Sequence, residues 1–244
     1  LDQYEPEEVL FYAAQILEQL MDSKDIAIYS VANGDYARLF SFTSETAKKM
    51  GKSIHYSVMD EMYNELKEDR IFINRNMNPE YPLMANAIYS ENEMQIILMV
   101  WGIPWERMNL AEANRLRVIG YLIQNAVVRA NRYLDALRED RYMEGTDILK
   151  EDAFTHLVTA FSNAKRDGLA ECTLIKMGVS RGEFQRTARK IEKNLRRSDY
   201  MGLMEDRLYV LLTNTDEENA GYVLKRFQEI GCEGTVAREE VAGC

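Results

Sequence analysis

The chain of 244 residues carries 30 basic and 40 acidic side chains, a net charge of −10, with 46% of its residues hydrophobic and 10% aromatic. This is enough apolar material for packed cores at a length that fits two domains, and it excludes a disordered chain. The acidic balance excludes attachment to long nucleic acids or to anionic membrane through a broad basic surface.

The cysteines Cys172, Cys232 and Cys244 are odd in number and sparse, which excludes a secreted disulfide framework and points to thiols in a reducing compartment. His55 and His156 have no Cys or His at ligand spacing, so the common zinc patterns are missing and any metal chemistry would rest on carboxylates. No apolar run approaches the roughly 18 residues that a membrane helix needs. Because the chain opens on Leu1, the expectation is a soluble portion of a longer protein.

In chain order, Val9, Leu10, Ala13, Ile16, Leu17 and Leu20 recur at helical steps and predict an amphipathic helix over 7–21 with these residues on its apolar face. Residues 26–31 and 36–42 read as strands joined through Ala32-Asn33-Gly34-Asp35, whose Asn-Gly pair suits a tight hairpin. A helix is expected over 58–67, and strands over 70–74, 85–90 and 94–101. Trp101, Trp105, Tyr81 and Met84 are either pocket lining or core. Leu110, Ala113, Leu116, Ile119, Ile123, Ala126, Val127, Ala130, Leu134 and Leu137 then form one stripe of a long connecting helix over 110–137. That stripe can pack on its own sheet or pair with a second copy of the chain. Arg138-Glu-Asp-Arg141 closes the helix, and Gly145-Thr146-Asp147 supplies a break and an N-cap.

This order predicts an antiparallel sheet with helices on one face, and over about residues 5–140 it resembles a GAF domain. The boundary is placed so that residues 1–143 form a GAF-like domain with its connecting helix and 144–244 a second domain.

In the second domain a helix over 148–165, a strand over 172–179, a basic helix over 182–196, a strand over 207–212, a helix over 217–230 and a short strand near Thr235 predict a sheet flanked by helices. The fold class is therefore α+β, two domains joined by a long helix.

The segment from Leu195 to Leu212 is similar to the part of a GGDEF domain that runs from its inhibitory-site Arg-x-x-Asp into the GGDEF turn and the apolar strand behind it. Arg196 and Asp199 match Arg-x-x-Asp. The turn itself reads Met204-Glu-Asp-Arg-Leu208 or, one residue on, Glu205-Asp-Arg-Leu-Tyr209, so the signature is lost and the domain is degenerate. Lys176 and Met177 stand where the resemblance places a metal-binding Asp, and a lysine there would repel the cation. Residues 179–184 are too short for the family's usual Asn-Asp and Gly-His stretch between the first strand and the following helix. The resemblance therefore implies no catalysis and no cofactor.

What it does imply is an inhibitory site for cyclic di-GMP. An Arg places paired donors on guanine O6 and N7, and a carboxylate accepts from the opposite edge. Arg226 is expected as the second arginine of that site, with Lys225 and Arg197 beside it. Seven basic residues against Glu183 and Glu192 between Arg181 and Arg197 give a local charge of +5 that would attract the phosphates.

The order of the two domains resembles the PelD-like family of membrane-anchored cyclic di-GMP receptors of Pel exopolysaccharide biosynthesis. That resemblance implies a bacterial, cytoplasmic portion anchored by a segment outside this chain. Its implied partners are membrane-embedded polysaccharide synthase components and their glycosyltransferase. A homodimer through the connecting helix, a ligand-free interaction scaffold in which Arg196 and Asp199 are a surface ion pair, and a residual diguanylate cyclase are the competing readings.

Overall fold

Pro6 at the first helical position and the Glu8 carboxylate, which accepts the Glu5 N–H at 3.0 Å, start helix α1 (Pro6–Met21). In this computed structural model residues 5–32, 36–90 and 92–237 are described, so the Asn33-Gly34-Asp35 turn and Cys244 lie outside the described residues. The chain divides into two units, Leu1–Asn131 and Arg132–Cys244.

In the first unit α1 is followed by β1 (Ile26–Ala32), β2 (Tyr36–Phe42), β3 (Ser53–His55), α2 (Asp60–Asp69), β4 (Ile71–Ile73), β5 (Met84–Ser90), β6 (Glu93–Val100) and α3 (Leu110–Ala136). The sheet order is β3-β2-β1-β6-β5-β4, with every pairing antiparallel. Strand β3 is an addition to the predicted elements, too short to show a period. His55 at its end caps the following 3-10 turn by accepting from Ser57 N–H at 3.2 Å.

Helices cover both faces of this sheet, not one. Ile96, Leu98 and Val100 of β6 pack with α1 and α3, whereas Ile97 and Met99 pack with Met62 and Leu66 of α2 and with Met59. An apolar strand without alternation is what burial on both faces produces. Trp101 and Met84 are core and Trp105 is exposed.

One predicted helix face also shifts. The buried residues of α1 are Pro6, Leu10, Phe11, Ala13, Ala14, Leu17 and Met21, so Ile16 and Leu20 are exposed. The predicted stripe of α3 packs on its own sheet through Ala113, Leu116, Ile119, Ile123 and Val127.

The second unit contains α4 (Arg138–Arg141), β7 (Ile148–Leu149), α5 (Glu151–Arg166), β8 (Cys172–Met177), α6 (Phe184–Ile191), β9 (Tyr200–Met204), β10 (Arg207–Thr213), α7 (Glu217–Glu229) and β11 (Gly234–Val236). Its sheet order is β11-β8-β10-β9-β7, antiparallel except for the parallel β7–β9 pair. Helices α6 and α7 pack through Phe184, Ile191, Val223 and Phe227 onto Ile175, Leu208, Val210 and Leu212. Helix α5 packs against β9 and β8, and Gly202 of β9 leaves the space that the Phe154 ring fills, where a Cβ would stand 2.1 Å from Phe154 Cγ.

The start of α5 differs from the expected one. Ile148 and Leu149 are strand residues, Lys150 is the N-cap position, and the Asp147 carboxylate pairs with Arg138 Nη2 at 3.2 Å instead of capping. Both thiols in the described residues, Cys172 and Cys232, are buried.

Candidate ligand-binding site

The basic helix expected over 182–196 is only eight residues long. Phe184, Thr187, Ala188 and Ile191 of α6 are buried at helical spacing; the chain then tightens into a 3-10 turn over Glu192–Asn194 and leaves extended at Leu195. Arg196 and Asp199 are therefore not at a helix end. They are the corners of a β-turn, closed by the Asp199 N–H donating to the Arg196 carbonyl at 3.0 Å.

The Asp199 side chain builds that turn. Its Oδ2 accepts the Arg196 N–H at 3.0 Å and its Oδ1 accepts the Thr213 N–H at 3.1 Å, so one carboxylate ties the turn to the last residue of β10. Thr213 Oγ1 donates to the Ser198 carbonyl at 2.9 Å and seals the second side. Below, Thr215 Oγ1 donates to the Thr213 carbonyl and Thr173 Oγ1 to the Thr215 carbonyl, each at 2.8 Å and buried. A satisfied polar floor of this kind holds the turn in one conformation.

Arg196 itself is exposed, and its guanidinium makes one long hydrogen bond, Nη1 to Thr215 Oγ1 at 3.5 Å. At that length the bond aims the side chain more than it binds it, and most of the five guanidinium donors face solvent. Asp199 is half-buried.

Arg197 is the next residue of the same turn and is exposed. Lys225 and Arg226 are exposed on the second half of α7, ten residues beyond its Asp216 N-cap for Arg226, or about 15 Å along the axis. The 3-10 turn before Arg196 packs beside α7. The structure thus places Arg196, Arg197 and Asp199 in one turn, and Lys225 and Arg226 on α7. Tyr222, one turn before Arg226, was not among the expected residues. It is 62% exposed, with the Lys225 Nζ 5.9 Å from its ring centroid, and its spacing of three and four from Lys225 and Arg226 is the signal that marks it.

The degenerate turn is the two residues Glu205 and Asp206, both left-handed at φ 50° and 56°, as a two-residue hairpin requires. Asp206 pairs with Arg181 at 3.4 Å, and the Glu205 N–H donates to the Glu151 carboxylate at 2.9 Å. Lys176 lies in β8 opposite Tyr209 and Thr235. Among the described residues no group of three or more His, Cys, Asp or Glu is placed to hold a metal ion. A separate cleft of about 920 Å³ lies between residues 138–150 and α6, with Arg138, Lys150 and Arg189 facing Glu139, Asp147 and Glu192, and contains none of the predicted site residues.

The chain matches no protein-family model and no curated protein. Among solved structures it is similar to PelD 158-CT from Pseudomonas aeruginosa PAO1, at 16% identity over 95% of this chain and 82% of that one, with a TM-score of 0.41. It is also similar to PelD 156-455 from Pseudomonas aeruginosa PA14 in complex with c-di-GMP, at 14% identity over 98% and 84%, with a TM-score of 0.39. A GAF domain/HD domain protein from Geobacter sulfurreducens matches at 12% identity over 54% of this chain and 97% of that one, with a TM-score of 0.43.

Proposed function

We propose that the chain is a non-catalytic cyclic di-GMP receptor, a GAF-like unit followed by a degenerate GGDEF unit, that regulates Pel exopolysaccharide synthesis. The observation that carries this reading is the Arg196–Asp199 turn. A solvent-facing guanidinium, aimed by one long contact, stands three residues from a carboxylate whose position is fixed by two backbone donors. Guanine asks for that combination: paired donors for O6 and N7, and an acceptor for N1–H and the amino group.

Cyclic di-GMP carries two guanines on opposite sides of one phosphate–ribose ring. In this reading Arg196 and Asp199 take one base, Arg197 lies beside a phosphate, and Arg226 and Lys225 take the far side of the ligand along α7. In this reading the unit is non-catalytic: Lys176 and Met177 occupy the strand position of a metal-binding Asp, the Asp206 carboxylate pairs with Arg181, and the Glu205 N–H donates to the Glu151 carboxylate. Ligand binding then favours one arrangement of the receptor surface over another, and membrane-embedded synthase components with their glycosyltransferase read the difference.

Calorimetric titration of the chain with cyclic di-GMP tests the proposal, with GTP and cyclic di-AMP as controls. Saturable heat with cyclic di-GMP alone is expected. Absence of heat together with an unchanged melting temperature at high ligand concentration contradicts it and favours an interaction scaffold, and metal-dependent turnover of GTP would favour a residual cyclase.

A further inference from the structure

Helix α6 carries Arg186, Arg189 and Lys190 and no acid, and Lys193 follows in the 3-10 turn. All four are exposed, and among the described residues their side chains make no hydrogen bond or ion pair. They stand three and four residues apart, so each repels its neighbours across the helix surface. The helix dipole accounts for Arg189 and Lys190, which lie in the last turn, where cations are favoured. It disfavours Arg186, which lies in the first turn. Solubility does not call for the cluster either, in a chain whose net charge is already −10. A group of cations that destabilises its own helix and is surplus to solubility points to an anionic partner.

Two stripes of α6 lie outside its buried side. Arg186, Lys190 and Lys193 form one of them. Gln185, Arg189 and Glu192 form the other and, with Ala188, make one wall of the cleft of about 920 Å³. Met143, Ala188 and Met201 are part of the cleft lining and also pack in the hydrophobic core of the second unit, so the cleft reaches down to that core. On the opposite wall Arg138 is occupied by Asp147 at 3.2 Å, while Lys150 Nζ donates to the Glu139 carbonyl at 3.0 Å and keeps two further donors. Because both stripes belong to one helix, a molecule lying along α6 would touch the basic stripe and the cleft together.

The lining selects among anionic partners. A nucleic acid or an anionic bilayer presents phosphates, which Glu139, Asp147 and Glu192 in the cleft would repel, and phosphates have no use for methionine side chains. A protein segment carries all that the surface asks for: carboxylates for the cations, an apolar side chain for the adaptable methionine lining, and backbone N–H groups for the carboxylates of the rim. We propose that the exposed face of α6 and the adjoining cleft form a docking surface for an acidic segment of a partner protein. Its carboxylates meet Arg186, Lys190 and Lys193, and an apolar side chain between them enters the cleft past Arg189 to reach Met143 and Met201.

The test is fluorescence anisotropy of a labelled peptide of repeating Leu-Glu-Glu triplets titrated with the 244-residue chain. Saturable binding that weakens with salt is expected, and it should fall roughly tenfold or more when Arg186→Glu and Lys190→Glu are combined, with circular dichroism and melting temperature unchanged. Arg186→Gln with Lys190→Gln serves as the milder pair if charge reversal disturbs folding. No saturable binding, or binding that both pairs leave intact, overturns the surface. A Ser-Glu-Glu peptide is expected to bind more weakly, and equal affinity overturns the role of the cleft. Vesicles containing phosphatidylserine are expected not to bind, and vesicle binding that the same variants abolish would replace the protein partner with a lipid surface. The variants should bind cyclic di-GMP as the native chain does. A parallel loss of nucleotide and peptide affinity would assign these cations to the nucleotide site and overturn the proposal.

Discussion

Asp199 has two jobs that separate under substitution. Its carboxylate satisfies two backbone N–H groups, and removing it leaves those donors to find water. Asp199→Ala is therefore expected to cost about 1–3 kcal/mol of stability as well as nucleotide affinity, seen as a lowered melting temperature without ligand. Tyr29 gives a second residue-level test. Burial pushes its hydroxyl well above the usual value near 10, and the hydroxyl donates to the Gly51 carbonyl at 2.9 Å. A group whose folded pKa is raised contributes stability that is present below its unfolded value and lost as pH rises past it, so this contribution fades above about pH 10. Tyr29→Phe should cost about 1 kcal/mol at neutral pH and narrow the gap between melting temperatures at pH 8 and pH 11. A gap that stays the same would show that other tyrosines dominate the alkaline limb.

At the scale of elements, Gly202 marks where β9 and α5 press closest. A methyl group there meets the Phe154 ring from Cβ to Cγ, and Gly202→Ala is expected to lower stability by about 1–3 kcal/mol in thermal or denaturant unfolding. Strand β9 was not legible in the sequence. Its residues, Tyr200–Met204, include a glycine and follow the Arg196 turn directly, so no strand period stands out until the Glu205–Asp206 hairpin is known. The long α3, the apolar β6 and the helix α7 were legible because their patterns extend over many residues. What misled was the choice of face: Ile16 and Leu20 fall on the apolar pattern of α1 yet remain exposed, because periodicity shows that apolar residues align but not which of two apolar stripes meets the sheet. The basic helix expected to end at 196 stops five residues earlier, at Ile191, for a related reason. Lys193, Arg196 and Arg197 continue its composition while the last buried contact of α6 is Ile191.

Over the whole molecule, the chain combines a six-stranded unit with helices on both faces and a five-stranded unit that carries the candidate site at the junction of β10 and α7. The Arg-x-x-Asp spacing was visible in the sequence, but its geometry was not. The pair forms a turn locked to Thr213 rather than a helix end, and this assigns the positioning role to Asp199 and leaves Arg196 as the group free to meet a ligand.

The most direct measurement is the affinity of Arg196→Ala for cyclic di-GMP, titrated beside the native chain under the same conditions. Because the Arg196 side chain makes a single long hydrogen bond among the described residues, the account predicts an unchanged melting temperature with affinity lowered by about 1–3 kcal/mol, roughly 5- to 150-fold. A variant that binds as tightly as the native chain would contradict the site, and one that unfolds would contradict the turn geometry on which the site is built.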